Sequence, residues 1–317
     1  VPAPWTVLKN GQGLARVASE LIDWAPDAVL LQYTPYLYAP GARRGIQLAL
    51  PAWTLALRAR LRVPVAMVAH ELHYPLGITP DRLFVGTPQF AQFLALASVM
   101  DQVFFTYEIP FQRYQRFMPW RSDRLAWIPV GANIEPNRSE AREIQAPKND
   151  GKKILLQFGN THPSRLSVVS FGAFDECRSQ LGKDAVSLVF LGVSQDAVER
   201  DLKNAGRTDL SAQVLGAGYQ GANEVSEWMK RADLVLAPFI DGVSTRRGSV
   251  MAALAHERTV LTTFGRHTDP SVGWSRICAT VDAQDAAGFA HKAAWLLRDP
   301  ARAHALVGTL RSLPAQP

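Results

Sequence analysis

Two adjacent arginines stand at the start of a predicted helix in the last third of the chain. In the stretch LAPFIDGVSTRRGSVMAALAHERTVLTT, residues 236–263, an apolar run leads into a polar loop that ends in Arg246, Arg247, Gly248 and Ser249. A helix N-terminus offers unpaired N–H groups and a partial positive charge, and guanidinium groups match phosphate oxygens. Glycine and serine let an oxyanion approach the backbone closely. The pattern predicts an anion site, and the alternative is a solvated loop whose arginines face water.

A second group of polar residues follows the apolar run at residues 153–159. Gly159 can form a tight turn, Asn160 comes next, and Arg165 stands six residues past the glycine. At this spacing the Arg165 side chain can reach back toward a ligand bound at the carboxyl end of the strand. A glycine after a strand is common in α/β proteins, so this pattern alone is weakly specific.

Two histidines stand at the end of another apolar run, residues 63–70. His70 is followed by Glu71 and, two residues later, by His73. This spacing differs from the His-Glu-x-x-His of zinc proteases, whose histidines need the i, i+4 geometry of a helix, so the pattern does not favour zinc. His70 is either a functional group at a strand end or a histidine satisfied within the structure.

Short apolar runs alternate with helical patterns along most of the chain. Most of the runs are continuous rather than alternating, which is typical of strands buried on both faces of a parallel sheet. The rhythm of strand and helix predicts a doubly wound α/β fold. The predicted strands are residues 28–33, 63–70, 102–107, 125–130, 153–159, 187–192, 212–216, 233–239 and 259–264.

A charged stretch without an apolar period, between residues 135 and 152, predicts a linker between two Rossmann-like domains. We expect an N-terminal domain at 1–136, a linker at 137–152, a C-terminal domain at 153–300 and a C-terminal helix or tail at 301–317. A helical pattern precedes the first strand, which predicts that the N-terminal domain lacks its first strands. A ligand is expected in a cleft between the domains, at the carboxyl ends of the strands.

The composition narrows the class of protein. Two cysteines are too few for a disulfide framework, which favours a reducing, cytoplasmic setting. The formal net charge of +6 is spread along the chain, and no nucleic-acid recognition motif accompanies it, so we expect no nucleic-acid partner. Residues 51–62 and 110–121 mix arginines with apolar side chains. They predict either ordinary amphipathic helices or a peripheral contact with an anionic membrane at the inner membrane face.

With these motifs assembled, nearly all of the chain resembles a family-4 glycosyltransferase of GT-B fold, two Rossmann-like domains facing a cleft. IPVGANI, residues 128–134, resembles the segment at the domain hinge of that family, and VAMVAHELH resembles its strand ending in a histidine. ILLQFGN resembles the first strand of the donor domain. ADLVLAPFIDGV followed by GSVMAALAHERTVLTT resembles the strongest signature of the family, an acid-glycine loop, a helix and a strand.

The resemblance implies a transferase that moves a sugar from a nucleotide-diphosphate donor to a glycan or lipid-linked acceptor, for polysaccharide biosynthesis, with retention of anomeric configuration. It implies no metal and no cofactor. The catalytic residues would be His70, which contacts the donor sugar, and Asp241, which orients sugar hydroxyls. The diphosphate would contact Gly159, Asn160, Arg165, Arg246, Arg247, Gly248 and Ser249. The sugar would be lined by Glu71, Gly242 and Ser244, and Tyr219 would meet the base.

The sequence departs from the family pattern at two places. The second of two family glutamates, which would hold the ribose, falls at Ala252, and the turn HER replaces a Cys-Gly-Lys-like turn. The lost carboxylate leaves a second interpretation open, a catalytically weak GT-B-like protein that binds a nucleotide. A third is a GT-B epimerase. A phosphorylase would need a pyridoxal-phosphate lysine, for which no convincing site is present.

Overall fold

The computed structural model of the chain describes residues 11–39, 44–137, 151–162, 164–299, 301, 303 and 305. These residues fall into two compact units, divided between Pro129 and Val130. Most of the expected linker at 137–152 and most of the expected tail at 301–317 lie outside the described residues. Each unit contains one parallel sheet, as the continuous apolar runs predict.

The first unit is built on a four-stranded sheet in the order β1-β2-β3-β4. Every pairing is parallel, because a helix or a longer connection separates each strand from the next. The helices are α1 Gly11–Trp24, α2 Pro35–Tyr38, α3 Ala49–Leu61, α4 Thr87–Val99 and α5 Glu108–Phe117, with a π-helical turn Arg82–Gly86 and a 3₁₀ turn Pro119–Arg124. The strands are β1 Val29–Tyr33, β2 Val65–Ala69, β3 Gln102–Phe105 and β4 Leu125–Trp127.

The second unit is built on a six-stranded sheet in the order β7-β6-β5-β8-β9-β10, again with only parallel pairings. Its strands are β5 Lys153–Phe158, β6 Val186–Leu191, β7 Val214–Gly218, β8 Leu234–Ala237, β9 Val260–Phe264 and β10 Ala279–Asp282. Its helices are α6 Ser167–Leu181, α7 Gln195–Asn204, α8 Ala222–Arg231, α9 Gly248–Ala255 and α10 Ala286–Arg298, with 3₁₀ turns Thr208–Gln213, Pro270–Val272 and Trp274–Arg276.

Apolar side chains cover both faces of the six-stranded sheet. One face packs around Phe171, Phe174 and Phe289, and the other around Trp228 and Trp274, all of them buried. Strands buried on both faces need apolar residues at successive positions, and β8 is buried at all four of its residues. This explains why the strands appear in the sequence as continuous apolar runs.

Each of the nine predicted strands overlaps a strand of the structure, and β10 was missed. The structure shortens several of them, since the run at 125–130 ends as a strand at Trp127. β10 has four residues, of which only Ala279 is buried, and it lies at the edge of its sheet. An edge strand that carries Thr280 and Asp282 lacks the continuous apolar signal. Within the described part of the chain, no helix has the length and apolar character to cross a membrane.

Candidate functional site

The strand order of the second unit reverses between β5 and β8. In chain order the six strands follow the pattern 3-2-1-4-5-6, in which the first and fourth are neighbours. Connections from these two strands leave in opposite directions, so a crevice opens at their carboxyl ends, where ligands bind in such sheets. Two segments leave this point: the β5 loop, residues 159–166, and the arginine loop, residues 238–247.

Backbone hydrogen bonds hold the β5 loop and the arginine loop together. Arg165 and Phe239 form an antiparallel β-bridge. On either side of it, the Leu166 N–H donates to the Pro238 carbonyl oxygen at 3.1 Å, and the Ile240 N–H donates to the Ser164 carbonyl oxygen at 2.9 Å. The two loops are therefore fixed relative to each other, and with them the side chains that they carry.

Asp241 organises both arginines of the arginine loop. Its Oδ2 accepts a hydrogen bond from Arg246 Nη2 at 2.6 Å, and its Oδ1 accepts one from Arg247 Nη2. His267, which follows β9, donates from Nδ1 to Asp241 Oδ2 at 3.0 Å. The Asp241 side chain is only 8% exposed, so this carboxylate is largely removed from water.

The surroundings of Asp241 keep its carboxylate ionised. Burial alone would raise its pKa, but the hydrogen bond from His267 and the charges of Arg247 and Arg246 outweigh this effect and hold the pKa well below its usual range. Arg246 and Arg247 share this single carboxylate, and the charge of Arg247 also acts on Arg165. We call Arg165, Arg246 and Arg247 the arginine cluster. Its three positive charges exceed the one negative charge of Asp241, which suits an anion.

Arg165 enters the cluster from the β5 loop. Its Nη1 donates to the Phe158 carbonyl oxygen, and its Nη2 lies 3.4 Å from Ser249 Oγ at the start of α9. Burial and the charge of Arg247 lower its pKa to about 10, so it remains charged near neutral pH. Arg165 also borders an open pocket of about 500 Å³ formed with the first turn of α6.

The buried ring of Phe239 lies beneath two of these guanidinium groups. Arg247 Cζ is 4.2 Å from the ring centroid, and Arg165 Cζ is 5.7 Å from it. A guanidinium held over an aromatic face is stabilised by the ring quadrupole without losing its hydrogen-bond donors. The ring therefore stabilises both charged groups and leaves their N–H donors to polar partners.

Two glycines make this packing possible. Gly159 has φ +113° and Gly242 has φ +87°, conformations that residues with a Cβ rarely adopt. A Cβ at Gly159 would lie against the Arg165 guanidinium, and a Cβ at Gly242 would lie against the Gly265 backbone. Both predicted glycines thus act through the close packing that they allow.

The start of α9 differs from the open anion site that the sequence predicts. The Gly248 N–H donates to the Arg246 carbonyl oxygen at 3.1 Å, so this amide already has a partner. Gly248 and Ser249 are half-buried, and Ser249 contributes its hydroxyl to Arg165. The first amide of the helix therefore offers no unpaired N–H to an anion.

The other predicted residues of the second unit differ in their exposure to solvent. Asn160 is exposed in the β5 loop, and Tyr219, just after β7, is 90% exposed. Ser244 is fully buried, so its side chain offers no surface to a sugar. Ala252 is also fully buried, within the core on one face of the sheet.

In the first unit, His70 lies one residue past β2, and its backbone N–H donates to the Tyr33 carbonyl oxygen at 3.0 Å. Its Nε2 is 2.7 Å from Gln32 Oε1, which can only accept, so Nε2 carries the proton and Nδ1 a lone pair. Burial lowers the pKa of His70 below its ordinary value, while Glu71, which is exposed, opposes that shift. The half-buried ring is thus neutral at pH 7.

His73 is fixed in the structure instead. Its Nδ1 is 2.8 Å from the Tyr74 carbonyl oxygen, its Nε2 is 2.9 Å from the Tyr114 hydroxyl, and its ring packs edge-on against Phe90. No helix covers residues 70–73, as the sequence predicts. Across the described ranges, no three His, Cys, Asp or Glu residues are grouped so that they could hold a metal ion.

Sequence reasoning missed three residues of this site: Ser164, Phe239 and His267. His267 follows the predicted strand at 259–264, so the rule that located His70 could also have found it. Phe239 lies in an apolar run and reads as core, and nothing in the sequence shows that two arginines lie over its ring. Ser164 carries no pattern beyond its place in the β5 loop.

Comparison with known proteins gives the fold. No protein-family model matches the chain, and no curated protein matches it. Trehalose 6-phosphate synthase from Burkholderia multivorans is similar with a TM-score of 0.65 and 15% identity, over 96% of this chain and 71% of that one. HepE from Anabaena in complex with UDP has a TM-score of 0.65 and 12% identity, over 95% and 76%. WaaG, a glycosyltransferase involved in lipopolysaccharide biosynthesis, has a TM-score of 0.63 and 15% identity, over 95% and 90%. The chain therefore has the α/β fold with parallel sheets that these GT-B glycosyltransferases share.

Proposed function

We propose that this chain is a glycosyltransferase that moves a sugar from a nucleotide-diphosphate donor to a glycan or lipid-linked acceptor without a metal ion. The observation that carries the proposal is the arginine cluster, which draws Arg165 from the β5 loop and Arg246 and Arg247 from the arginine loop to the point where the strand order reverses. UDP is the first nucleotide to test, because the similar HepE structure contains it.

The chemistry of the leaving group favours this assignment. Breaking the bond between the anomeric carbon and the donor oxygen leaves negative charge on a diphosphate, which must be stabilised as it develops. Guanidinium groups fixed before the reaction do this without the cost of reorganising the site. Arg165, Arg246 and Arg247 supply the charge and the forked donors in the second unit.

We assign Asp241 a positioning role in place of the contact with sugar hydroxyls that the family resemblance implies. Both of its carboxylate oxygens accept hydrogen bonds from the arginines, and its side chain is nearly inaccessible. It keeps the like charges of Arg246 and Arg247 close together, where they would otherwise repel. Gly159, Gly242 and Ser249 support the same arrangement from the backbone and the start of α9.

His70 is the proposed catalytic residue of the first unit. Its neutral ring has a defined tautomer, with a proton on Nε2 and a lone pair on Nδ1. Such a ring can accept a hydrogen bond from a sugar hydroxyl and stabilise positive charge that develops at the anomeric carbon. Glu71 remains a candidate for contact with the sugar, Asn160 for contact with the diphosphate and Tyr219 for contact with the base. Retention of anomeric configuration also remains part of the proposal.

A peripheral membrane contact belongs to the proposal on the acceptor side. In the segment at 51–62, Arg58 pairs with Asp101. In the segment at 110–121, Phe117 and Trp120 are 51% and 71% exposed, beside the exposed Arg116. Exposed aromatic rings next to arginine are typical of surfaces that rest on anionic lipid headgroups. A cytoplasmic enzyme that meets its lipid-linked acceptor at the inner membrane face would use such a surface.

A second candidate is a GT-B-like protein that binds a nucleotide without turnover. It is favoured by Ala252, which is buried and offers no carboxylate where the family resemblance places the ribose-binding glutamate. The two candidates share the anion site and differ in chemistry. Turnover therefore separates them.

The test is calorimetric titration of the full chain with UDP, GDP and ADP, followed by measurement of nucleoside diphosphate release from the matching nucleotide sugars. Binding of one nucleotide together with release supports the transferase. Binding without release, with acceptor glycans and acceptor lipids both supplied, supports the second candidate. No binding of any of the three contradicts both.

A further inference from the structure

Ser164 contacts both the backbone of the arginine loop and one of its guanidinium groups. Its Oγ lies 3.1 Å from Arg247 Nη1, and its carbonyl oxygen accepts the Ile240 N–H at 2.9 Å. On its other side, Ser164 Oγ is 2.7 Å from His162 Nδ1, and the Ser164 N–H is 3.1 Å from the same nitrogen. One residue thus joins the β5 loop to Arg247 and to a histidine.

The direction of each hydrogen bond follows from what each group can donate. A backbone N–H only donates, so His162 Nδ1, which faces it, carries a lone pair. The Ser164 hydroxyl must then give its proton to His162 Nδ1. Arg247 also only donates, so it meets a lone pair of Ser164 Oγ. His162 therefore orients the hydroxyl, and the hydroxyl presents an acceptor to Arg247.

The Arg247 guanidinium is oriented by other contacts besides its hydrogen bond to Ser164. Its Nη2 donates to Asp241 Oδ1, and its plane lies over Phe239. The bond from Nη1 to Ser164 adds a second in-plane contact at a different nitrogen, which opposes rotation of the guanidinium over the ring.

From this geometry we infer that Ser164 is a positioning residue for diphosphate binding, which acts by holding the Arg247 guanidinium in its binding orientation. The inference rests on the proposed function, since it concerns the anion that the cluster takes. It adds a residue to the site that touches neither sugar nor phosphate. A structural role alone would show in stability, whereas the positioning role shows in affinity through Arg247.

The experiment is a double-mutant cycle between Ser164 and Arg247, with UDP, GDP and ADP as probes. Ser164→Ala removes the acceptor and is expected to weaken binding of the preferred nucleotide by about fivefold, the effect of one typical hydrogen bond. Ser164→Thr keeps a hydroxyl and is expected to restore the affinity of the unmodified chain. In the Arg247→Ala background, Ser164→Ala is expected to cause no further loss.

Ser167→Ala is the matched control, since this serine begins α6 and its side chain has no hydrogen bond among those described. The Ser167→Ala variant is expected to bind like the unmodified chain. Ser164→Ala, Ser164→Thr and Ser167→Ala, each made alone, are expected to keep the melting temperature of the unmodified chain. The inference is overturned if Ser164→Ala binds as well as the unmodified chain, if threonine fails to restore binding, or if the loss is the same without Arg247. If the unmodified chain binds none of the three nucleotides, the proposed function itself fails.

Discussion

The ends of β8 and β2 hold their polar side chains in opposite ways. After β8, the Asp241 carboxylate binds both Arg246 and Arg247. Each of these three side chains is no more than 20% exposed. After β2, the half-buried ring of His70 has a single side-chain hydrogen bond described for it, to Gln32. One strand end carries a network of charges, and the other carries one neutral ring.

The two strand ends differ because charged groups lie after β8, whereas a neutral ring lies after β2. Like charges brought together in a partly buried site repel, and a carboxylate between them removes much of that cost. A neutral imidazole needs no such partner, because burial merely lowers its pKa and leaves the uncharged form. We therefore propose that the second unit binds the anion and that the first supplies the reactive group.

The largest expected effect is at His70. His70→Ala is expected to reduce turnover by about 100-fold or more, the usual range for loss of a positioned proton-transfer or polar catalytic group. Nucleotide affinity is expected to stay unchanged, because the proposed diphosphate contacts lie in the second unit. Release of nucleoside diphosphate and calorimetric titration measure the two effects, with the exposed His291 of α10 changed to alanine as the control. Full activity in the variant would remove His70 from the mechanism.

The next largest effect concerns stability at Asp241. Asp241→Asn leaves two partly buried arginines without their carboxylate and is expected to lower the free energy of unfolding by about 3 kcal/mol at pH 7. Because the folded-state pKa is depressed, this stability is present above the unfolded pKa, about 4, and is lost as the pH falls further. Urea unfolding of the unmodified chain and of the Asp241→Asn variant should therefore show a difference in free energy of unfolding that shrinks below about pH 4.

Asp209→Asn is the control for the Asp241 variant. Asp209 also pairs with an arginine, Arg207, but its side chain is 61% exposed. Exposed pairs add little to stability, so the unfolding midpoint should stay where it is. Equal losses in the two variants, or an Asp241 effect that does not depend on pH, would show that the network is not held as the structure describes.

A third prediction concerns binding by the arginine loop. Arg246→Ala combined with Arg247→Ala is expected to weaken diphosphate binding by about 2 kcal/mol or more, since hydrogen bonds to charged groups contribute about 1.5–3 kcal/mol each. Arg200→Ala combined with Arg298→Ala removes the same charge from exposed positions of the same unit and should leave affinity unchanged. Equal affinities for the two double variants, measured by calorimetry, would refute the anion site.

The smallest expected effect is at Gln32. Gln32→Ala removes the group that orients the His70 ring and is expected to lower turnover by about fivefold, the effect of one ordinary hydrogen bond. Gln180→Ala, at an exposed position of α6, is the control. A loss as large as that of His70→Ala would mean that Gln32 contacts the substrate itself, and the contrast between the two strand ends would need revision.

Much of the fold could be predicted from the sequence because buried parallel strands need continuous apolar runs. The runs at 153–159 and 233–239 gave β5 and β8, and with them the strand ends at which to look for function. β10 escaped because an edge strand with Asp282 at its end can satisfy its polar groups in water. The same rule, applied after β9, would have led to His267.

The sequence predicted which residues form the site better than it predicted how those residues contact one another. Residue types and spacing brought Arg165, Arg246 and Arg247 together, since each follows a predicted strand. They could not show that Asp241 faces the arginines, that the Gly248 amide is already bonded, or that Ser244 is buried. Those facts depend on how the arginine loop folds and packs in three dimensions, which residue types and spacing alone do not encode.

The most direct test of the central claim is a crystal structure of the full chain soaked with UDP. The account predicts a diphosphate whose oxygens accept hydrogen bonds from Arg165 and from at least one of Arg246 and Arg247, with Asp241 still bonded to the arginines. A diphosphate bound away from the arginine cluster, with all three guanidinium groups still contacting only protein atoms, would contradict it.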